Sequence, residues 1–412
     1  MNARAAARWW AYPDSIRTKT VAMTTASAQA KSLFIALTIV LIILILVSIS
    51  LLSTSTRIGI ASVSKKWLQR ISRSKRGSTK VILFWTGFYD TSLKWKTRMG
   101  EIDCGQHMKC FLTPNHSMYK ESNALIFHHR CLTWLENITQ LSKEKHRILN
   151  QRWVLYNRES AWWEPKGSDL KVANELLNWT MGFRRDDDIY IPTAIVRRGQ
   201  YRNGFDPNRN YMASKTGHVA ALMSMCRFRG GYRQRSLYIN LLKKSGLEID
   251  MYGKCGERCG SHKKCSEVIR TFKFVLAIEN SLCDDYISEK PYINGLQLGT
   301  VPIVLSKANV SQPSVLPPGS FIDASQFPQV SALVKYVNKV GKHPRMYNNF
   351  FKWRAKWSFR IISEAEGQIL FPDDYFCPLC KKLHDNGEPL KIIKELQQWY
   401  EQQKCKQFPT QK

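Results

Sequence analysis

The residues best able to do chemistry lie between Phe272 and Leu305. An apolar run, Phe274 to Ile278, has the length of a buried strand, and the chain turns polar at once with Glu279-Asn280-Ser281. Asp285, Tyr286, Glu289 and Lys290 follow, ahead of Pro291. Proline is favoured in a first helical turn, so the spacing predicts a helix from about Glu289 through Leu296, stopped at Gly299. A second buried strand is expected at Val301–Leu305. Such a βαβ unit sets carboxylates, an amide and a lysine at the carboxyl end of its first strand, where open α/β sheets take ligands. A helix N-terminus beside a lysine suits a phosphate.

Other polar groups sit at comparable places. The strand-like Arg152-Trp153-Val154-Leu155-Tyr156 runs into Asn157-Arg158-Glu159-Ser160. The run Asp186-Asp187-Asp188 follows Arg184-Arg185, and three adjacent carboxylates also invite a divalent-metal reading. The apolar Val219-Ala220-Ala221-Leu222-Met223 ends at Ser224-Met225-Cys226, before a basic turn, Arg227 to Arg235, and a helix to about Lys244. Leu247 to Tyr252 reads as a further strand, and Leu390 to Tyr400 as a final amphipathic helix. Strand, loop, helix and strand alternate through Leu305, which argues for parallel sheets covered by helices, an α/β fold.

Taken together these stretches resemble the α1,3-fucosyltransferases, which take fucose from GDP-fucose. The donor signature is carried by Glu279-Asn280-Ser281, Asp285-Tyr286-Ile287, Glu289-Lys290, Asn294 and Val301-Pro302, with Ile278 and Pro291 as departures. Trp153-Val154 with Glu159-Ser160 resembles the acceptor-side motif, Ala161 standing where proline is usual. Asn178-Trp179-Thr180-Met181 with Arg184-Arg185-Asp186 also fits, as do Arg235 with Tyr238, Asp250 to Gly253, Ser320 to Asp323, and Phe350 to Arg354. The match covers roughly residues 80 to 385.

The resemblance implies a GT-B architecture of two facing Rossmann-like domains, and an inverting transfer of fucose to a GlcNAc of N-glycans. GDP-fucose is then a co-substrate and no cofactor is required, a divalent cation being at most stimulatory. Phosphates want fixed cations, which nominates Lys290 and Arg235, with Arg233 as a rival. Ribose hydroxyls are well held by a carboxylate, hence Glu289. Asn280 and Tyr286 can donate to the sugar or the phosphates. Glu279 either joins them or caps the strand end, and Tyr252 either stacks on guanine or belongs to the core. One displacement needs one base for the acceptor hydroxyl; Glu159 fits, with Asp186, Asp187 and Asp188 competing.

Composition bounds the rest. The 412 residues allow two ordinary domains, and 44% hydrophobic with 11% aromatic content supports real cores. Sixty-two basic against 32 acidic residues leave a net charge of +30, which favours anionic partners. Residues 33–52 carry no charge and are long enough to cross a bilayer. They read as an uncleaved signal-anchor between a tail, 1–32, and a stem, 53–78. An acceptor-side domain at 79–215, a donor domain at 216–375 and a Cys-x-x-Cys tail at 376–412 complete the expected organisation.

Basic residues flank the span on both sides, so charge barely orients it. All eleven cysteines and the sequons at Asn115, Asn137, Asn178 and Asn309 lie after it, which puts the body in the secretory lumen. That topology argues against a nucleic-acid partner, and the resemblance implies an enzyme of the Golgi membrane. Cys104, Cys110, Cys377 and Cys380 are disulfide candidates with three possible pairings, alongside Cys255, Cys259 and Cys265, with Cys405 as the odd thiol. A zinc site using His384 is the alternative for a reducing compartment. The segment 253–265 and the Cys377-x-x-Cys380 tail look most like invertebrate and plant enzymes that fucosylate the innermost GlcNAc. Antennal, Lewis-type or LacdiNAc fucosylation is the next reading, and a basic membrane-tethered binding protein without turnover the rival from another class.

Overall fold

A computed structural model describes residues 79–409, apart from 89–94, 96, 132–133, 145–146, 149, 162–169, 203, 225, 227–230, 363–371, 373, 386 and 388. The expected tail, signal-anchor and stem lie outside the described residues. Among those described, no helix is long and apolar enough to cross a membrane.

The first sheet holds β1 (Thr79–Phe84), β2 (Gly100–Asp103), β3 (Lys109–Thr113), β4 (Ala124–His128), β5 (Arg152–Asn157), β6 (Trp179–Gly182) and β7 (Ile189–Tyr190), in the order β2-β3-β1-β4-β5-β6-β7. Only β2 runs antiparallel to its neighbour. The second sheet is wholly parallel: β9 (Gly217–Leu222), β10 (Ile249–Tyr252), β11 (Phe272–Ile278), β13 (Val301–Leu305) and β14 (Ile322–Asp323), ordered β10-β9-β11-β13-β14. Parallel sheets bury both faces and so read as unbroken apolar runs. Ala124 to His128 and Val301 to Leu305 are buried at every position, as that rule requires. β8 (Ala194–Arg198) pairs antiparallel with β15 (Trp357–Ile361), where the chain passes between the halves.

The helix expected after Glu289 takes another form. Pro291–Gly295 is a wide helical turn and Leu296–Leu298 a tight one, with Gly299 left-handed at φ 70° beyond it. The stop at Gly299 is therefore present, but the preceding turns are too short to present a regular helix N-terminus.

The C-terminal helix is likewise shorter than expected and spans Leu396–Glu401. Upstream of it the backbone is spent elsewhere: the Ile393 amide donates to Leu177 O and its carbonyl accepts from Glu175, at 2.9 Å each. Leu390 is exposed, whereas Ile393, Leu396 and Tyr400 pack into the core of the first sheet. From Tyr375 to Tyr400 the chain thus packs on the amino-terminal half.

Five disulfides form: Cys104–Cys377, Cys110–Cys380, Cys226–Cys255, Cys259–Cys265 and Cys283–Cys405. The first two staple the helix Cys377–His384 to the first sheet, where Cys110 lies in β3. Cys405 is not the odd thiol: β16 (Cys405–Lys406) pairs with β12 (Leu282–Cys283), which brings the two sulfurs together. The cysteine outside the five bridges is Cys131, which is buried. Cys110, Cys380 and His384 cluster as metal ligands would, but both thiols are already oxidised in the bridge.

The sequons divide by burial. Asn115 and Asn309 are exposed and Asn137 is half-buried on the helix Trp134–Glu144. Asn178 is fully buried, contrary to its candidacy. Its side-chain oxygen accepts from the Trp153 amide at 2.8 Å and from Arg147, and its amide donates to Lys391 O at 2.7 Å. Asn178 has no exposed surface, so a glycan on that nitrogen has no room. The folded protein should carry none at Asn178, and Asn178→Gln should leave the mass removed by deglycosylation unchanged while costing about 1–3 kcal/mol through buried groups left unmatched. Intact mass with and without deglycosylation, and chemical denaturation, check both; a glycan at Asn178 would contradict the assignment.

Candidate active site

The two parallel sheets turn their carboxyl edges toward each other. β5 ends at Asn157, whose side chain accepts the Glu159 amide at 2.8 Å, an Asx-type turn that fixes the loop. Arg158 then points away, donating to Ile191 O and, at 2.9 Å, to Thr193 Oγ1. Glu159 turns inward. Its Oε1 accepts from Arg130 Nη1 at 2.6 Å and its Oε2 from the Tyr286 hydroxyl at 3.2 Å. Next to it Ser160 Oγ and Ser281 Oγ share a 2.5 Å hydrogen bond, so two pairs of residues bridge the halves.

Across the cleft, β11 delivers Glu279 with no exposed surface. Its carboxylate accepts from the Ser288 amide and hydroxyl, both at 2.9 Å, and from Lys290 Nζ at 3.0 Å. Lys290 Nζ also meets Ser288 Oγ at 2.6 Å and lies 3.8 Å from Glu289. An ammonium has three donors, and its two hydrogen bonds leave one of them unused. Burial opposes the Lys290 charge, but Glu279 and Glu289 outweigh it, and the pKa stands above the ordinary lysine value even with Arg235 close enough to push it down. Arg235 is buried where Arg233 is exposed, which separates those two candidates.

Tyr286 is 5% exposed and packs edge-on against Phe183. Burial first, then Glu159, Glu279 and Glu289, drive its hydroxyl well above the ordinary tyrosine range, so it remains a hydrogen-bond donor. The residue before it, Asp285, is left-handed at φ 59°, an uncommon state outside glycine. The Asp285 carboxylate accepts from the Arg185 amide at 3.1 Å, which ties this turn to the first half.

Most nominated residues therefore converge: Glu159, Tyr286, Glu279, Glu289, Lys290 and Arg235 share one electrostatic neighbourhood, and buried Asn280 joins it by accepting from Ser281 Oγ at 3.0 Å. Tyr252 stands apart. It ends β10, half-buried, and its ring meets Phe272 edge-on at 5.7 Å. Arg130, Ser160, Ser281 and Ser288 were missed as partners. Arg130 had a legible signal, since it follows β4, the strand beside β5, in the equivalent edge loop.

The acidic run is engaged locally. Asp186 pairs with Arg184 at 2.5 Å, Asp188 accepts from Thr180 N and Lys391 Nζ, and Asp187 accepts from the Arg184 amide at 2.8 Å. Burial lifts the Asp187 carboxyl to about 7, against the opposing pull of Thr180 and Arg184. Between pH 4 and 7 the folded state thus holds a proton that the unfolded chain releases, and stability falls as pH rises. The stability gap between Asp187→Asn and the parent should widen in the variant's favour from about pH 4 to 7 and level off above. Denaturation across that range checks it; a gap independent of pH would contradict it.

Comparison with known proteins gives the family. Residues 77–194 match the family description "Fucosyltransferase, N-terminal" and residues 212–399 match "Glycosyltransferase family 10 (fucosyltransferase) C-term". The chain is 30% identical over 292 residues to the Mus musculus and Homo sapiens proteins named 4-galactosyl-N-acetylglucosaminide 3-alpha-L-fucosyltransferase 9, covering 71% of this chain and 74% of each. It is 27% identical over 362 residues to the Bos taurus alpha-(1,3)-fucosyltransferase 4, covering 78% and 85%. A solved alpha1,3-fucosyltransferase aligns with a TM-score of 0.45 at 15% identity, over 76% of this chain and 92% of that one. On the two family matches and the 30% relatives, the chain belongs to glycosyltransferase family 10, the fucosyltransferases.

Proposed function

We propose that this protein transfers fucose from GDP-fucose to O3 of a GlcNAc residue with inversion at the anomeric carbon. The observation that carries the reading is the meeting of Glu159, from one sheet edge, with Tyr286, from the other, whose hydroxyl also feels Glu279 of the Lys290–Glu279 pair. A binding protein has no need of both halves. Lys290 and Arg235 would hold the diphosphate, Glu289 the ribose, and Asn280 the sugar or a phosphate oxygen. Glu279 is wholly occupied by Ser288 and Lys290, so its role is to position the lysine. Glu159 accepts the acceptor hydroxyl proton while that oxygen bonds to the fucosyl carbon. The bond from that carbon to the phosphate oxygen breaks, and GDP leaves with the electron pair. Two cations supply the neutralisation that a metal gives elsewhere, so the reaction proceeds without one.

The acceptor we propose is the core GlcNAc of N-glycans, which rests on the resemblance of the cysteine-rich segments. A 4-galactosylated GlcNAc is the second reading, favoured by the printed name of the mouse and human relatives. We further place the protein in the Golgi membrane with its body in the lumen. The charge-free residues 33–52, the cysteines that follow them and five disulfides support that placement.

The test is to incubate the chain with GDP-fucose and a panel of core and antennal glycans, with and without chelator, and read product mass and linkage. Product on the core GlcNAc that persists with chelator is expected. Product only on galactosylated acceptors would remove the core assignment, and loss restored only by manganese would remove the metal-free one. In the same assay Glu159→Gln should keep its GDP affinity and lose about 10²- to 10⁴-fold in turnover. Near-normal turnover would exclude Glu159 as the base.

A further inference from the structure

A second basic cavity, of about 520 Å³, opens at the far edge of the donor-side sheet. Lys215 precedes β9, Arg270 precedes β11 and Gly299 precedes β13, and all three line it. The strands are parallel, so this is the amino edge, opposite the edge that carries Glu279 and Lys290. The seven residues of β11 separate the two edges by about 23 Å at 3.3 Å per residue. One ligand does not reach both.

Five cations line this cavity, Arg202, Arg209, Lys215, Arg270 and Arg354, with one carboxylate, Asp206. Asp206 is turned to its own loop, accepting the Asn208 amide at 2.9 Å. Among the described residues none of the five cations forms an ion pair. The Lys215 ammonium is held inward by Arg270 O at 2.7 Å and Thr300 Oγ1 at 3.4 Å. Burial first, then Arg270, Arg354 and Arg209, lower its pKa to about 8. Arg354 lies against the rings of Phe351, Tyr211 and Tyr201, at 5.0, 5.6 and 5.7 Å. These rings fix the guanidinium, yet its buried Nε and the buried Tyr201 hydroxyl have no hydrogen-bond partner.

Gathering like charges in a concavity is unfavourable, and buried polar atoms ordinarily find partners. An anion in the cavity relieves the first of these costs. A fork-shaped donor such as Arg354, pre-oriented by aromatic faces, matches a tetrahedral oxyanion.

We propose that this cavity is a second anion site, remote from the donor, that takes a compact ligand bearing several phosphate or sulfate groups. Its volume suits a saccharide-sized molecule, and its cations outnumber what one charge would need.

The full chain should be titrated calorimetrically with inorganic tripolyphosphate and, separately, with sucrose octasulfate, in saturating GDP so that the donor edge is occupied. One-to-one binding is expected for at least one probe, and the tighter one distinguishes phosphate from sulfate. Arg209→Ala/Arg270→Ala, two exposed positions, should weaken it about tenfold or more and leave GDP affinity unchanged. Should that variant melt early, Arg209→Gln and Arg270→Gln singly give the same reading. Binding of neither probe, loss of binding when GDP is added, or affinity unchanged in the variants would overturn the proposal.

Discussion

Glu159 and Tyr286 touch only because the carboxyl edges of two parallel sheets face each other. That constraint organises the molecule. Parallel strands demand helical crossovers and buried faces, and they collect their loops at one edge. Setting two such edges opposite one another creates a cleft whose walls carry different chemistry. One wall offers a carboxylate braced by Arg130, the other a lysine braced by Glu279 and Ser288.

The tail serves the same constraint. After β15 the chain returns to the first sheet, where two disulfides and the helix Leu396–Glu401 hold it. It then reaches the second half again through Cys283–Cys405, three residues before Tyr286. Gln403 adds bonds in both directions, accepting from the Ala161 amide at 2.7 Å and donating to Asp284 O at 2.8 Å. The loop that carries Glu159 and the turn that carries Tyr286 are thereby referred to one strap.

Much of this was legible in the sequence. The apolar runs of β5, β11 and β13 declare themselves because both faces of a parallel sheet are buried, and the polar residues right after β5 and β11 are the ones brought together across the cleft. Gly299 marked its turn because only a residue tolerant of positive φ fits there. Other features were not local and so could not be read. Cys405 looked like a spare thiol because its partner is 122 positions away and their approach depends on the β12–β16 pairing. Asn178 carries a glycosylation signal in three residues, but its burial is set by Trp153 and Lys391. Residues 390 to 395 have a helical apolar pattern, yet Leu177 and Glu175 draw that backbone out straight.

The contact across the cleft, from the Tyr286 hydroxyl to Glu159, ties the proposed base to the donor side. A double-mutant cycle on turnover with Glu159→Gln and Tyr286→Phe tests this most directly. If the phenol serves to hold the carboxylate that takes the proton, Tyr286→Phe slows the parent enzyme but changes little once Glu159 is Gln. Two losses that simply multiply, with no coupling between them, would show that the contact across the cleft is not part of the catalytic machinery.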